Sequence, residues 1–442
     1  MSEIFYSLNT KLSEIFFGIP TVMLLFMVSL FISVKTGFVQ RFLPYAFSLL
    51  FSKKEDKRLP LGAVCTALCA TIGTGSITGT AVAIAIGGKG AVFWIWVCSF
   101  FTMAISFAEG VLSVLYQQKN GCKNYGGAVY YMEHGCHSKS YAKVFSFFCI
   151  ISAFCMGNMA QSKAVATAFE PLGVSSLTIG IILLVITAFV IYLYGRRITD
   201  FCQRLLPFVS VIFVLCCLII IFIFSYKLPS AIRDIFLEAF GIKGVSGGVS
   251  FVAVKAALSN GFKRGIFSSE AGLGTTCCIH AQCNLSPFNA GLMAMLENFI
   301  DSFFVTTICA LTILVSGKYD ITAAFFAGLG KAGSLLSAVC ISLFAFATII
   351  GWFYIAKSNV EYLNIKFLKK GFNLVYPIFC VFGAVLSLES VFTLSDTVNG
   401  ILAILNICAI IFLSKSIFSE FKKFHIAKPF ADDIKKNTDK NA

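Results

Sequence analysis

Apolar runs long enough to cross a bilayer recur along the whole chain, and they are continuous rather than alternating. A helix needs about 20 apolar residues to span the hydrocarbon core. Eleven segments fit, near residues 15–38, 61–87, 90–117, 141–170, 174–194, 201–226, 249–281, 288–316, 333–357, 372–388 and 391–414. A transmembrane β-barrel would show short strands with polar residues at every second position. The pattern therefore predicts an all-α polytopic membrane protein of about 11 transmembrane helices. The first segment outruns a signal-peptide core and ends at Ser33-Val34-Lys35-Thr36-Gly37 without a small-x-small cleavage pattern, so it reads as a retained helix.

Two of the segments are interrupted by glycine. The first reads Thr71-Ile72-Gly73-Thr74-Gly75-Ser76-Ile77-Thr78-Gly79. The second reads Gly261-Phe262-Lys263-Arg264-Gly265, followed by Ser268-Ser269-Glu270-Ala271-Gly272-Leu273-Gly274. Unwinding a helix in hydrocarbon strands its backbone groups, which is tolerated where those groups bind something. Paired interrupted segments point to the substrate site of a transporter. With the first helix (15–38) set aside, spans two to six (61–226) and seven to eleven (249–414) form two sets of five. Each set opens with a broken helix. An odd helix number per repeat forces opposite topologies, so the repeats are expected to be inverted. The chain reads as a single membrane domain, 1–442, with a tail at 415–442.

Charge supplies the orientation. With the N-terminus outside, the inside segments hold 24 of the 35 basic residues and the outside segments seven. That asymmetry predicts a cytoplasmic C-terminus and a place in the cytoplasmic (inner) membrane. The +14 net charge is then a topology signal, because no basic soluble domain is present to bind nucleic acid. Residues 39–60 pair an aromatic stretch with the run Lys53-Lys54-Glu55-Asp56-Lys57-Arg58 and read as an interfacial helix.

Candidate chemistry lies at a few positions. At Gly73–Ser76 the second half-helix would offer free N–H groups to a carboxylate, while carbonyls across the break suit a cation. The competing reading is close helix packing through Gly75 and Gly79. Asn158 and Gln161 lie three residues apart on one helix face, either in a site or in interhelical hydrogen bonds. In the ninth span Thr348 is the one hydroxyl between Phe344 and Trp352. On the residues alone it suits a bond to its own helix. Trp352 inside that span suits a pocket wall more than an interfacial anchor. Ionisable groups in spans default to function. Lys163 and Asp301 are the coupling candidates, whereas Glu109 and Glu297 lie where they are able to snorkel. Motifs for nucleotide hydrolysis, zinc hydrolysis and serine nucleophiles are absent, so the chain is not expected to be an enzyme or to need a cofactor.

Together the motifs resemble the alanine or glycine:cation symporters, the sodium:alanine symporter family. The resemblance rests on Gly73-Thr74-Gly75-Ser76-Ile77-Thr78-Gly79, the stretch from Gly87 to Trp96, Phe107-Ala108-Glu109, Gly126-Gly127-Ala128-Val129-Tyr130-Tyr131 and Gly195-Arg196-Arg197-Ile198. It continues with the stretch from Arg264 to Gly274, Phe299-Ile300-Asp301 and Gly351-Trp352. It implies a LeuT-type five-plus-five inverted repeat with one extra N-terminal helix. It also implies symport of a small neutral amino acid, alanine or glycine, with sodium. The substrate-binding residues expected are Gly73, Thr74, Gly75, Ser76, Asn158, Gln161, Gly261 and Trp352. By analogy with the wider fold, sodium would bind the carbonyls of Cys69 and Ile72 and the hydroxyl of Thr348. Three positions depart from the family pattern: Ser76 stands for its usual Asn, Ala347 for a frequent hydroxyl, and Lys163 for a polar Asn or Ser. The alternatives are proton coupling, a larger substrate such as glutamine, and, from another class, a channel.

Overall fold

The structure is a computed structural model. It describes residues 2–50, 74–120, 123–194, 196–242, 251–282 and 285–424. The limb of the first broken segment before Thr74, including Cys69, Ile72 and Gly73, lies outside the described residues, as does residue 425 onward.

The chain is a bundle of helices: α1 (Ser2–Phe16), α2 (Ile19–Lys35), α3 (Leu43–Leu50), α4 (Thr74–Gly87) and α5 (Ala91–Leu115) come first. A two-stranded hairpin, Gln118–Asn120 with Lys123–Tyr125, separates them from α6 (Lys139–Leu172) and α7 (Ser176–Leu193). There follow α8 (Arg196–Ile223), α9 (Leu228–Ala239), α10 (Phe251–Ser269), α11 (Cys277–Ala281), α12 (Pro287–Ser316), α13 (Ile321–Leu363), α14 (Lys366–Val385) and α15 (Leu388–Phe412). Local sequence sets the starts of several of them. Ser138, Ser175, Ser286, Asp320 and Ser387 each accept a backbone N–H of the first turn of α6, α7, α12, α13 and α15. Such caps satisfy donors that a helix start otherwise strands.

Eight helices among the described residues are long and apolar enough to cross a membrane. The chain is thus an all-α polytopic membrane protein. The other three of the eleven expected spans take different forms. Segment 61–87 is described only from Thr74. Segment 201–226 meets the next helix at a 74° bend. Segment 249–281 is divided into α10 and α11. The ninth segment is the longer limb of α13, which breaks at Gly330 (φ 66°, ψ −155°).

Small residues bring the central helices together. A Cβ on Gly110 of α5 would lie 2.7 Å from the Ala290 carbonyl oxygen of α12, and one on Gly291 would lie 2.7 Å from Phe107. That close crossing is the usual device where the solvent offers no hydrophobic drive. Gly261 and Gly265 do the same on α10: a Cβ on Gly261 would lie 2.6 Å from Ala91 O, and one on Gly265 3.1 Å from the Cys98 sulfur. Around this core α4 packs on α10, α6 on α13, and α7 on α14.

Candidate functional site

The second break spans Glu270 to Thr276, downstream of the Gly261–Gly265 motif. Gly261 and Gly265 are helical because close contact with α5 needs their missing side chains. The chain turns where three residues take positive φ: Glu270 (54°), Gly272 (87°) and Gly274 (71°). Glycine adopts such angles without penalty; glutamate does not.

The freed backbone is satisfied by side chains from distant helices. Glu109 of α5 accepts from the amides of Gly272 (3.1 Å) and Gly274 (2.9 Å) and from the Asn406 amide. Asn406 of α15 also donates to Gly272 O (3.0 Å), and its own oxygen accepts from the Tyr131 hydroxyl. Glu109 is therefore buried, at 3% exposure, and does not snorkel; Glu297 is likewise buried, against His280. A carboxylate that accepts two backbone N–H groups makes an unwound segment affordable inside a membrane protein. Glu270 uses both oxygens locally, one accepting from Trp352 Nε1 (2.9 Å) and the other from the Thr275 hydroxyl (2.6 Å).

Helix α4, the described part of the first glycine-interrupted segment, adjoins the second break. Helix α4 is described from Thr74, and the residues before it lie outside the described ones. The Gln161 side-chain oxygen accepts from both the Thr74 amide (3.1 Å) and the Thr74 hydroxyl (2.8 Å). Its amide donates to Met156 O, which lies in the π-helical segment Cys155–Met159. At Gly75 a Cβ would lie 3.3 Å from Ser268 Cα and 3.4 Å from Phe267. Ser76 and Ser268 hydroxyls lie 2.7 Å apart. Helix α4 and the last turns of α10, far apart in sequence, thus meet just ahead of the second break.

Trp352 of α13 is fully buried beside them. Gly157 makes room for it, since a Cβ there would lie 2.4 Å from the indole. The Thr348 hydroxyl, one turn away, is buried with no hydrogen-bond partner among the described residues, its own helix included. Two sequence candidates face elsewhere. Asn158 donates to Tyr376 O of α14 (2.7 Å), and Lys163 to Ala384 O of the same helix (3.3 Å). Lys163 is two residues, about 200°, around α6 from Gln161. Asp301 does reach the junction, where it accepts from Ser76 and Ser268. Glu109, Ser268, Glu270 and Asn406 were not among the expected site residues. Their signal was a polar group inside an apolar helix, which says nothing of what it faces.

Leucine at Gly75 has no room against Ser268 and Phe267, and its side chain would wedge α4 from α10. Gly75→Leu is expected to abolish uptake while the protein still inserts. Wild-type uptake by a well-expressed variant would show that this junction is only packing.

Apolar helices long enough to span a membrane, with a backbone break buried among them, define an integral membrane protein. The chain belongs to the sodium:alanine symporter family, whose family model matches residues 2–439. It is 34% identical to the sodium/alanine symporter AgcS of Methanococcus maripaludis, an alignment covering 99% of this chain and 100% of that protein. It is 32% identical to the protein named "Probable sodium/glutamine symporter GlnT" of Bacillus subtilis, over 86% of this chain and 82% of that one. It is 30% identical to the amino-acid carrier protein AlsT of the same organism, over 90% and 87%.

Proposed function

We propose that this protein imports a small neutral amino acid, alanine or glycine, with sodium, by alternating access around the junction of α4 and α10. The observation that carries the reading is the meeting of α4 with the end of α10, just ahead of the second break, at Gly75, Ser76 and Ser268. Family membership supplies amino acid and sodium as the transported pair. Thr348 supports sodium, because a buried hydroxyl without a partner is costly unless it is ligated. The proposed ion site joins Thr348 to the carbonyls of Cys69 and Ile72, which lie outside the described residues. The architecture that fits this cycle is a LeuT-type inverted repeat of 11 helices, residues 61–226 and 249–414, with 15–38 as the extra helix. The basic-residue asymmetry supports a cytoplasmic C-terminus and a cytoplasmic-membrane location. A cavity bordered by Gly127, Tyr130, Gly274, Thr275, Asn359 and Tyr362 lies beside the second break and fits an inward exit.

Proteoliposome uptake across an amino-acid panel, with and without a sodium gradient, tests this. Alanine or glycine uptake should saturate, follow sodium and fail with alaninamide, whose carboxylate is masked. Thr348→Val should raise the half-saturating sodium concentration several-fold, and Lys163→Met should change it little. Glutamine preferred over alanine overturns the substrate assignment. Uptake that ignores sodium, follows pH and is lost in Lys163→Met assigns coupling to protons instead. Flux without saturation or coupling identifies a channel.

A further inference from the structure

The outward face of α14 (Lys366–Val385) is apolar along its length and ends in a basic cluster. Phe367, Leu374, Val375, Ile378, Phe382 and Val385 are exposed, and helical periodicity places them on one side. From Phe367 to Val385 the stripe covers about 27 Å at 1.5 Å per residue, close to the ~30 Å hydrocarbon core of a bilayer. Lipid chains therefore flank this side, and the start of α14 lies at the level of the headgroups. Lys366, Lys369 and Lys370 are exposed there, beside Phe367 at 87% exposure. Lys357 of α13 joins them. Its Nζ lies 5.6 Å over the Phe353 ring, and that ring stacks on Phe372 of α14 at 5.5 Å. Glu361 is the one acidic residue between Lys357 and Lys370. Among the described residues, none of the four lysines forms an ion pair.

We propose that this edge of α14 binds an anionic glycerophospholipid, and that the bound lipid raises the transport rate. Lysines gathered without acidic partners repel one another, and a headgroup of net negative charge offsets that repulsion. A zwitterionic headgroup brings its own cation and offsets less. Lys366 and Lys370, one helical turn apart, hold the phosphate. An acyl chain follows the stripe inward from Phe367. Gly371 stands between Phe367 and Leu374 on that side, and a Cβ there would meet nothing within 4 Å, which leaves a notch for the chain. The surface is tied to the helices that carry the transport residues. Tyr376 O of α14 accepts from Asn158 of α6 (2.7 Å), and the Tyr376 hydroxyl donates to Ile349 O of α13 (2.9 Å). Phe372 also packs on Phe154 at 5.6 Å. Phe154 adjoins the π-helical turn Cys155–Met159 to which Gln161 bonds, and Phe353 adjoins Trp352. A lipid that steadies α14 therefore steadies α6 and α13 together. None of the lipid-facing residues touches the breaks, so the effect falls on maximal rate more than on KM.

The test reconstitutes purified protein in phosphatidylcholine vesicles with and without a minor fraction of phosphatidylglycerol. Uptake is measured in both, and thermal unfolding is followed in detergent with each lipid added. In the wild type phosphatidylglycerol should raise maximal uptake several-fold with little change in KM, and should raise the unfolding temperature. The double variant Lys366→Gln, Lys370→Gln should transport at one rate in both vesicles and show no unfolding shift. Arginine at both positions should restore both responses. If the double variant is not recovered folded, Lys370→Gln alone should weaken both responses. Lys422→Gln with Lys423→Gln, which removes two exposed lysines elsewhere, should respond as the wild type does. A wild type indifferent to phosphatidylglycerol would overturn the proposal, as would a full response in the glutamine variants at 366 and 370. An equal loss in the 422 and 423 variant would assign the effect to general membrane charge instead. Stabilisation by soluble glycerol phosphate as strong as by the lipid would identify a free-phosphate site and overturn the lipid assignment. Because unfolding is read without substrate, a failed amino-acid assignment leaves this result standing.

Discussion

Arg264→Met should destabilise the protein by about 3–5 kcal/mol, the cost of breaking a buried ion pair by removing one partner. Arg264 on α10 pairs with Asp396 on α15, and the two side chains are 4% and 7% exposed. The guanidinium also lies 5.3 Å from the Phe267 ring and 4.9 Å from the Phe392 ring, so it is held by cation–π contacts as well. Methionine retains much of the packing and removes the charge, leaving Asp396 buried and uncompensated. Asp396→Leu should cost a similar amount for the mirror reason. The double variant should recover most of the loss, because it removes both desolvated charges. Among the described residues, Nε and NH1 of Arg264 and one Asp396 oxygen have no hydrogen-bond partner. The pair is therefore under-satisfied, and it resists opening less than a complete network would. Thermal unfolding in detergent measures the effect, and uptake separates stability from transport. A double variant less stable than either single variant would show that the helices are joined here by geometry specific to the pair.

Glu109→Leu should abolish transport more completely than any substitution on the substrate-facing surface. It strands the amides of Gly272 and Gly274, which now share one carboxylate oxygen at 3.1 and 2.9 Å. Each unsatisfied buried N–H costs about 1–3 kcal/mol, so the native shape of the second break would lose about 2–6 kcal/mol relative to alternatives. At the low end that is on the order of a 30-fold loss in the population of the competent loop. Glu109→Gln keeps an acceptor oxygen at the same place and should retain a substantial fraction of uptake. The comparison is the informative measurement. If leucine and glutamine behave alike, it is the charge of Glu109, and not its anchoring of the loop, that matters.

The sequence alone determined the membrane class and the helical pattern. Long apolar runs have one stable form in a bilayer, and local rules of length, capping and glycine spacing suffice to read them. The serine and aspartate caps of α6, α7, α12, α13 and α15 are local in the same sense, since each acts within three residues, although only the structure brought them to notice. Only the tertiary structure decided where the second segment breaks. Gly261, Gly265, Gly272 and Gly274 are alike in sequence. The first pair serves contact with α5 and the second serves positive φ, and that division depends on which helix lies alongside. It also decided which polar groups share a site. Gln161 and Lys163 stand two residues apart, yet one caps α4 and the other faces α14, because successive positions on a helix point in different directions. Glu109 meets Gly272 across 163 residues and Asn406 across 297, and Asp301 meets Ser76 across 225. No local pattern encodes such pairings. They arise when packed helices leave polar groups in hydrocarbon that only each other can satisfy.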